Sequence, residues 1–295
     1  DGIMDLAMGT PSTSGFVGYV AFGDGAGRFG PCTPVLLPLN LRADHLGGNG
    51  LTFADFDLDG DFDIVTCVWS PSGPSPGDRP LLTFLNDGRW KFAAEPFGRF
   101  PSVPIGAPRL ESVDVNGDGR LDVFANEPTA SGYILHLFVD DGTGHFTETP
   151  TAIPPVPGTV LDLAPADFDH DGDLDIAVTT LAGTNNIFVW TNDSTGFFTQ
   201  TVSLPLIWCE HLDAGDDNGD GHADIVLAAT SVTMQIWHGD GLGGFTFAEN
   251  SFPFTLRGVD SSRLSLQLAD LDGDGALDIV TAKWDIGLEL YLNDG

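Results

Sequence analysis

The sequence predicts an all-β chain, a β-propeller of four-stranded blades, and three observations carry that expectation. A nine-residue acidic motif recurs along the 295 residues. A second motif, an aromatic strand ending in Asn-Asp-Gly or a close variant, falls once between successive copies of the first. No amphipathic stretch of helical period and useful length interrupts the two. Four short strands repeated at a period near 50 residues are the signature of propeller blades.

The acidic motif reads Asp-x-Asp/Asn-x-Asp-Gly-x-x-Asp and opens at Asp55, Asp114, Asp167, Asp216 and Asp270; residues 1–5 repeat its second half. The closing Asp falls at 5, 63, 122, 175, 224 and 278, spaced 49 to 59 residues apart. A Leu stands four residues before each full copy (Leu51, Leu110, Leu163, Leu212, Leu266), and a β-branched or aromatic run follows it, as at Ile64-Val65-Thr66 and Ile279-Val280-Thr281. These runs are strands A and B, with the acidic loop between them. Strand C ends at Phe22-Gly-Asp-Gly, Leu85-Asn-Asp-Gly, Val139-Asp-Asp-Gly, Thr191-Asn-Asp-Ser, His238-Gly-Asp-Gly and Leu292-Asn-Asp-Gly, a hairpin signal between apolar runs. Strand D then opens on Phe29, Phe92, Phe146, Phe198 or Phe245. The units fall near residues 1–45, 46–106, 107–158, 159–208, 209–260 and 261–295 of a single domain. The first opens inside an A–B loop and the last stops in a C–D turn, so the expectation is a piece of a longer chain, with incomplete end blades and room for a seventh.

Composition narrows the partners. The formal charge is −32, yet 42% of residues are hydrophobic and 21 are Phe, enough for a real core. An acidic surface argues against nucleic acid and anionic membrane, which attract basic faces. No apolar run reaches the roughly 18 residues of a membrane helix, so no membrane insertion is expected. The chain opens at Asp1-Gly2-Ile3 with no signal peptide in view. Cys32, Cys67 and Cys209 lack zinc-site spacing, and the first two fall in neighbouring blades, where they could pair.

The motif's spacing has a chemical reason. Side chains at positions 1, 3 and 5 of a tight loop converge, Gly at 6 permits the turn, the residue at 7 offers its carbonyl and Asp at 9 completes the oxygen shell. The candidate metal residues are therefore Asp55, Asp57, Asp59, Asp61 and Asp63; Asp114, Asn116, Asp118, Arg120 and Asp122; Asp167, Asp169, Asp171, Asp173 and Asp175; Asp216, Asn218, Asp220, His222 and Asp224; and Asp270, Asp272, Asp274, Ala276 and Asp278. Hard oxygen donors in a flexible loop suit Ca²⁺, giving an expectation of about five ions. An EF-hand is excluded, because position 12 falls in a strand as Thr66, Ala125, Val178, Leu227 or Thr281 rather than as Glu. The bland alternative is a run of solvated Asp turns.

The acidic loop followed by Asp-Ile-Val, with the later Asn-Asp-Gly-x-Gly-x-Phe turn, resembles the FG-GAP/VCBS repeats of β-propellers like that of the integrin α-subunit. That resemblance covers nearly the whole chain. It implies calcium loops on one face and ligand contact on the other, in a family that spans adhesion proteins, lectins and some polysaccharide lyases.

The face opposite the loops offers Trp69 and Trp284 at the ends of B strands, and Trp208 beside Cys209, Glu210 and His211 in a D–A connector. Flat aromatic faces with nearby polar groups suit sugar rings; packing between blades is the competing account. Trp190 and Trp237 share the strand C slot of Phe84, Phe138 and Tyr291 and are expected in the core. Polar residues alternate on strand A (Arg109, Glu111, Asp162, His211, Asp213, Gln267), as expected of a water-lined channel. The reading is a secreted or cell-surface, calcium-stabilised recognition, adhesion or structural module that binds glycan or protein, with further domains or self-assembly open. The alternative is a polysaccharide lyase or glycoside hydrolase acting at the channel mouth.

Overall fold

A computed structural model describes residues 5–12, 15–36, 51–67, 81–94, 100, 109–129, 132–141, 145–149, 153, 156, 158–181, 186–193, 197–205, 209–229, 234–248, 264–283 and 287–293. Every regular element among them is a strand, and none is a helix long and apolar enough to cross a membrane. Two compact units arise, one from Val156–Gly295 with the Asp24–Arg28 turn, the other from Asp5–Gly23 and Phe29–Pro155.

The second unit holds three antiparallel sheets in chain order. The first is β1 (Leu6–Ser12), β2 (Gly15–Ala21) and β3 (Thr33–Leu36). The next is β4 (Leu51–Ala54), β5 (Asp63–Cys67), β6 (Leu81–Asn86) and β7 (Phe92–Ala94). The third is β8 (Leu110–Val113), β9 (Asp122–Thr129), β10 (Gly132–Asp140) and β11 (Phe146–Thr149). The other unit repeats the plan with β12 (Thr159–Ala166), β13 (Asp175–Leu181), β14 (Asn186–Asn192) and β15 (Phe198–Pro205). It continues with β16 (Cys209–Gly215), β17 (Asp224–Ala229), β18 (Met234–Gly239) and β19 (Phe245–Ala248), then β20 (Leu264–Ala269), β21 (Asp278–Lys283) and β22 (Gly287–Tyr291). These four-stranded meanders are the blades of a β-propeller. The first and last sheets show three strands each among the described residues.

Burial explains the strand chemistry. Strand B is the buried strand: β13 is covered from Asp175 to Thr180 on both faces, Thr179 and Thr180 included. Strand D of the same sheet is mostly exposed, and β15 carries Thr and Gln where β13 carries Ile and Val. The cores lie between sheets, one built from Val65, Leu110, Val123 and Phe138, another from Ala177, Ile187, Leu212 and Ile225. Trp190 is fully buried as expected, whereas Trp237 is only partly buried and meets Phe247 edge-on at 5.1 Å.

Two local expectations change. The Asp-Gly hairpins are wider than two-residue turns: the Asp24 carboxylate accepts the N–H groups of Ala26 and Arg28, and Asp240 does the same for Leu242 and Gly244. Glycines at +1 and +3 from the Asp take positive φ (Gly25, Gly27, Gly241, Gly243), and Trp90 holds the +3 place at φ 58°. In the first sheet, Phe29 makes a single bridge to Gly23 and strand D begins at Thr33. Cys32 is an exposed free thiol, so the pairing with Cys67 that the sequence left open is not made, and the buried Cys209 Sγ donates to the His211 carbonyl.

Candidate functional site

The five acidic loops fold alike, because each Asp serves a defined set of main-chain donors. At position 1, Asp55, Asp114, Asp167 and Asp216 accept the N–H of position 5 on one oxygen, at 3.0–3.1 Å, and that of the position 6 glycine on the other. Asp270 takes Gly273 and Gly275 instead. At position 5, Asp59, Asp118, Asp171, Asp220 and Asp274 accept the N–H of position 7. Position 4 is left-handed in all five loops; Gly fills it at 117, 219 and 273, while Leu58 and His170 adopt φ near 60°.

Position 9 joins loop to sheet. Asp63, Asp122, Asp175, Asp224 and Asp278 are completely buried. One oxygen of each accepts the position 2 N–H (Phe56, Val115, Phe168, Asp217, Leu271). The other accepts an N–H at the end of strand C (Asn86, Asp140, Asn192, Gly239) or just beyond it (Asn293). Asp5 makes the equivalent bond to Gly23 at 2.9 Å, while the rest of that half-motif, Asp1–Met4, lies outside the described residues.

The carboxylates then converge. Oxygens of Asp55, Asp57 and Asp63, of Asp167, Asp169 and Asp175, and of Asp270, Asp272 and Asp278 approach within 4.8 Å of one another. Asp169 Oδ1 is buried with no hydrogen-bond donor. Burial is the main force raising Asp63, Asp122 and Asp175 to about 6, with neighbouring loop aspartates adding repulsion against the relief their two N–H donors give. Burial and like charge also push Asp169 and Asp272 upward. Buried, repelling oxygens with lone pairs left over are what a hard cation compensates, so these three clusters could hold a metal ion. In the 114–122 and 216–224 loops, Asn116 and Asn218 hold position 3 and accept the N–H of Asp118 and Asp220. At position 7, the Arg120 side chain pairs with Asp118, and the His222 ring covers Gly241.

The 216–224 loop contains a feature the spacing argument missed. Position 2 is a buried apolar residue in four loops (Phe56, Val115, Phe168, Leu271) but Asp217 here. Its oxygen lies 3.5 Å from His238 Nε2, and the two residues group with Asp224. Burial, with Asp224 beside it, lifts Asp217 to about 8. The signal was present in the sequence as the single carboxylate in an otherwise apolar column.

On the A strands, two of the polar residues, Asp162 and Asp213, are bound to main chain of the neighbouring strand. Asp162 accepts the Leu212 N–H at 3.2 Å and meets His211 Nδ1 at 3.1 Å. Asp213 accepts the Leu268 N–H at 2.7 Å and the Gln267 amide at 3.3 Å. Each carboxylate ties its A strand to the next. His211 is buried. Trp69, Trp208 and Trp284 lie outside the described residues, as does the 71–80 insertion.

FG-GAP-like repeats match at residues 114–178 and 218–281. No curated protein matches the chain. Among solved structures, an Agrocybe aegerita lectin described for specific recognition of non-reducing terminal N-acetylglucosamine superposes with TM-score 0.55 at 20% identity, over 95% of this chain and 75% of that one. AofleA from Arthrobotrys oligospora gives 0.56 at 14% identity, over 98% and 83%. The Aleuria aurantia lectin, a six-bladed β-propeller described with a fucose recognition mode, gives 0.51 at 14% identity, over 99% and 96%. At these identities the likeness establishes the fold.

Proposed function

We infer that this chain is an extracellular glycan-recognition module whose blades are stabilised by calcium bound in the acidic loops. The observation that carries the calcium half is the convergence of position 1, 3 and 9 carboxylates around a fully buried Asp in the loops opening at Asp55, Asp167 and Asp270. Oxygen-only donors from short side chains favour Ca²⁺ over softer ions, and millimolar extracellular calcium would fill even weak sites. The loops opening at Asp114 and Asp216 supply the same set with an amide oxygen at position 3, which gives about five ions.

The glycan half draws support from the fold neighbours that recognise N-acetylglucosamine and fucose. The loops and C–D turns share one end of each sheet, as Gly88 beside Asp61 and Gly241 beside His222 make plain. The opposite end is left for ligand, and we assign its contacts to Trp69, Trp208, Trp284 and His211.

A glycan array probed with calcium-loaded and calcium-stripped protein tests both halves. Expected are saccharide signals with calcium, lost on stripping together with a fall in Tm. A chain containing no calcium by elemental analysis, with unchanged Tm in chelator, overturns the metal assignment. A loaded, folded chain silent on the array while binding a protein ligand replaces the glycan assignment with adhesion.

A further inference from the structure

Blade by blade, the 216–224 loop departs from its siblings at three places that meet. Position 2 changes from apolar to Asp217. The residue matching Leu85, Val139, Thr191 and Leu292 becomes His238, and that matching Asn86, Asp140, Asn192 and Asn293 becomes Gly239. In three siblings an Asn amide fills this corner, with Asn86 donating to the Phe62 carbonyl, Asn192 to that of Leu174 and Asn293 to that of Leu277; the first repeat carries Gly23 here. At Gly239 there is no side chain, and a Cβ there would lie 2.2 Å from the Ala223 carbonyl oxygen. An amide has been exchanged for an imidazole and a carboxylate.

Those groups form a donor set. One oxygen of Asp217, one of Asp224 and one ring nitrogen of His238 lie within 4.8 Å of one another. Asp217 Oδ1 is completely shielded from solvent and receives no hydrogen bond, although its side chain as a whole is only 11% exposed. An unbonded carboxylate oxygen buried at an apolar position is costly unless something positive meets it. The His238 Nε2 lies 3.5 Å away, outside good hydrogen-bond range. That separation has another meaning: nitrogen and oxygen ligands about 2.0–2.2 Å from one tetrahedral ion stand about 3.3–3.6 Å apart. Both Asp224 oxygens accept one N–H each and retain a lone pair. The His238 side chain is 35% exposed, which leaves an approach from solvent.

We propose that Asp217, Asp224 and His238 form a binding site for a borderline divalent cation of the zinc class, different in chemistry from the all-oxygen loops, with Asp224, the position 9 residue of its own loop, shared between this ion and the loop's calcium. Imidazole plus two carboxylates selects such an ion over Ca²⁺, which prefers oxygen alone. Water completes the shell on the His238 side.

The test is a titration of the calcium-saturated chain with Co²⁺, whose visible absorption reports nitrogen–oxygen coordination, followed by displacement with Zn²⁺. One equivalent is expected to bind. His238→Leu and Asp217→Leu place at each position a residue that a sibling loop already carries (Leu85, Leu271). Each should lose the absorption band and weaken binding at least about tenfold, with the calcium-dependent Tm kept. His145→Gln, on an exposed turn of another sheet, should leave the titration unchanged. Zn²⁺ should also shift the His238 Nε2 resonance in wild type, a readout independent of any variant's folding. Absence of a saturable Co²⁺ equivalent, a band that survives His238→Leu, or an unmoved His238 resonance overturns the proposal. Because Co²⁺ is followed directly, failure of the loops to bind calcium leaves this titration readable.

Discussion

If the loops hold calcium as proposed, removing it should reverse the sign of the protein's pH dependence. In the metal-free chain, Asp63, Asp122 and Asp175 sit near 6 because they are buried among other carboxylates, against about 3.9 in an unfolded chain. A carboxyl raised in the folded state contributes stability that is fully present below the unfolded value and is lost as pH rises through the folded one. Between about pH 4 and 6 the native state therefore holds more protons, and each such group lowers stability by about 1.4 kcal/mol per pH unit. With Asp213, also lifted to about 6 by burial, four groups set an upper figure of about 5.4 kcal/mol per unit. With an unfolding entropy near 2.1 cal/mol/K per residue, this is at most about 9 °C of Tm per pH unit. Asp217, lifted to about 8, extends the decline toward pH 8.

Bound calcium inverts this, because an ion held by ionised carboxylates competes with their protons and is released by acid. Thermal melts of stripped and calcium-saturated protein, followed by circular dichroism from about pH 4.5 to 7.5, compare the two slopes. The stripped protein should lose Tm as pH rises, and the loaded protein should gain it. Slopes of the same sign in both states would refute the reasoning, whatever their size.

Three further outcomes follow from geometry. Gly117 has φ 70° and open space around its missing Cβ, so Gly117→Ala should cost about 1 kcal/mol through backbone strain alone, whereas Leu58→Gly, at an exposed left-handed position, should gain up to about 1 kcal/mol in chemical denaturation. Asp213→Ala strands the Leu268 N–H and should lose about 1–3 kcal/mol, while Asp213→Asn, which keeps an acceptor, should lose less; equal losses would show that the bond between A strands contributes nothing. Trp190→Ala should destabilise by about 3–5 kcal/mol and Trp237→Ala by less, since only the first is fully buried.

The strand order and the loops were legible because each is a local property. Leu four residues before a loop and Ile-Val after it pair directly, as Leu163 with Val178 and Leu51 with Thr66 do. The loop spacing encodes its own turn, with Gly60, Gly119 and Gly172 in the left-handed conformation that position 6 demands. What escaped was contact between blades. Polar residues alternating on strand A were expected to face water, and alternation alone cannot distinguish a wall residue from a staple. Asp162 and Asp213 are staples because the neighbouring A strand offers unpaired N–H groups at Leu212 and Leu268, a consequence of blade adjacency that no period encodes. The Asp-Gly signal located the turns, but not the side-chain caps on Asp24 and Asp240 that widen them.

The same division explains why one loop could diverge without disturbing the others. Positions 1, 5 and 9 bond within their own loop or sheet, so each loop is closed on itself. Position 2 faces a neighbour: Phe56 meets Phe146 edge-on at 5.9 Å, Phe168 meets Phe245 at 5.5 Å, and the Phe168 carbonyl accepts the Gly243 N–H, while His170 at position 4 meets His222 of the next loop at 5.7 Å. The Leu271 carbonyl receives Gly27 in the same way, and that of Asp217 receives the Asn293 amide. A carboxylate placed at position 2 keeps this main-chain bond but gives up the apolar contact, so its charge must be met from within its own sheet. Strand C ends beside position 2 through the shared position 9 Asp, and it is there that His238 and Gly239 occur. The three departures form one exchange, confined to the single corner of the blade where loop and strand C touch.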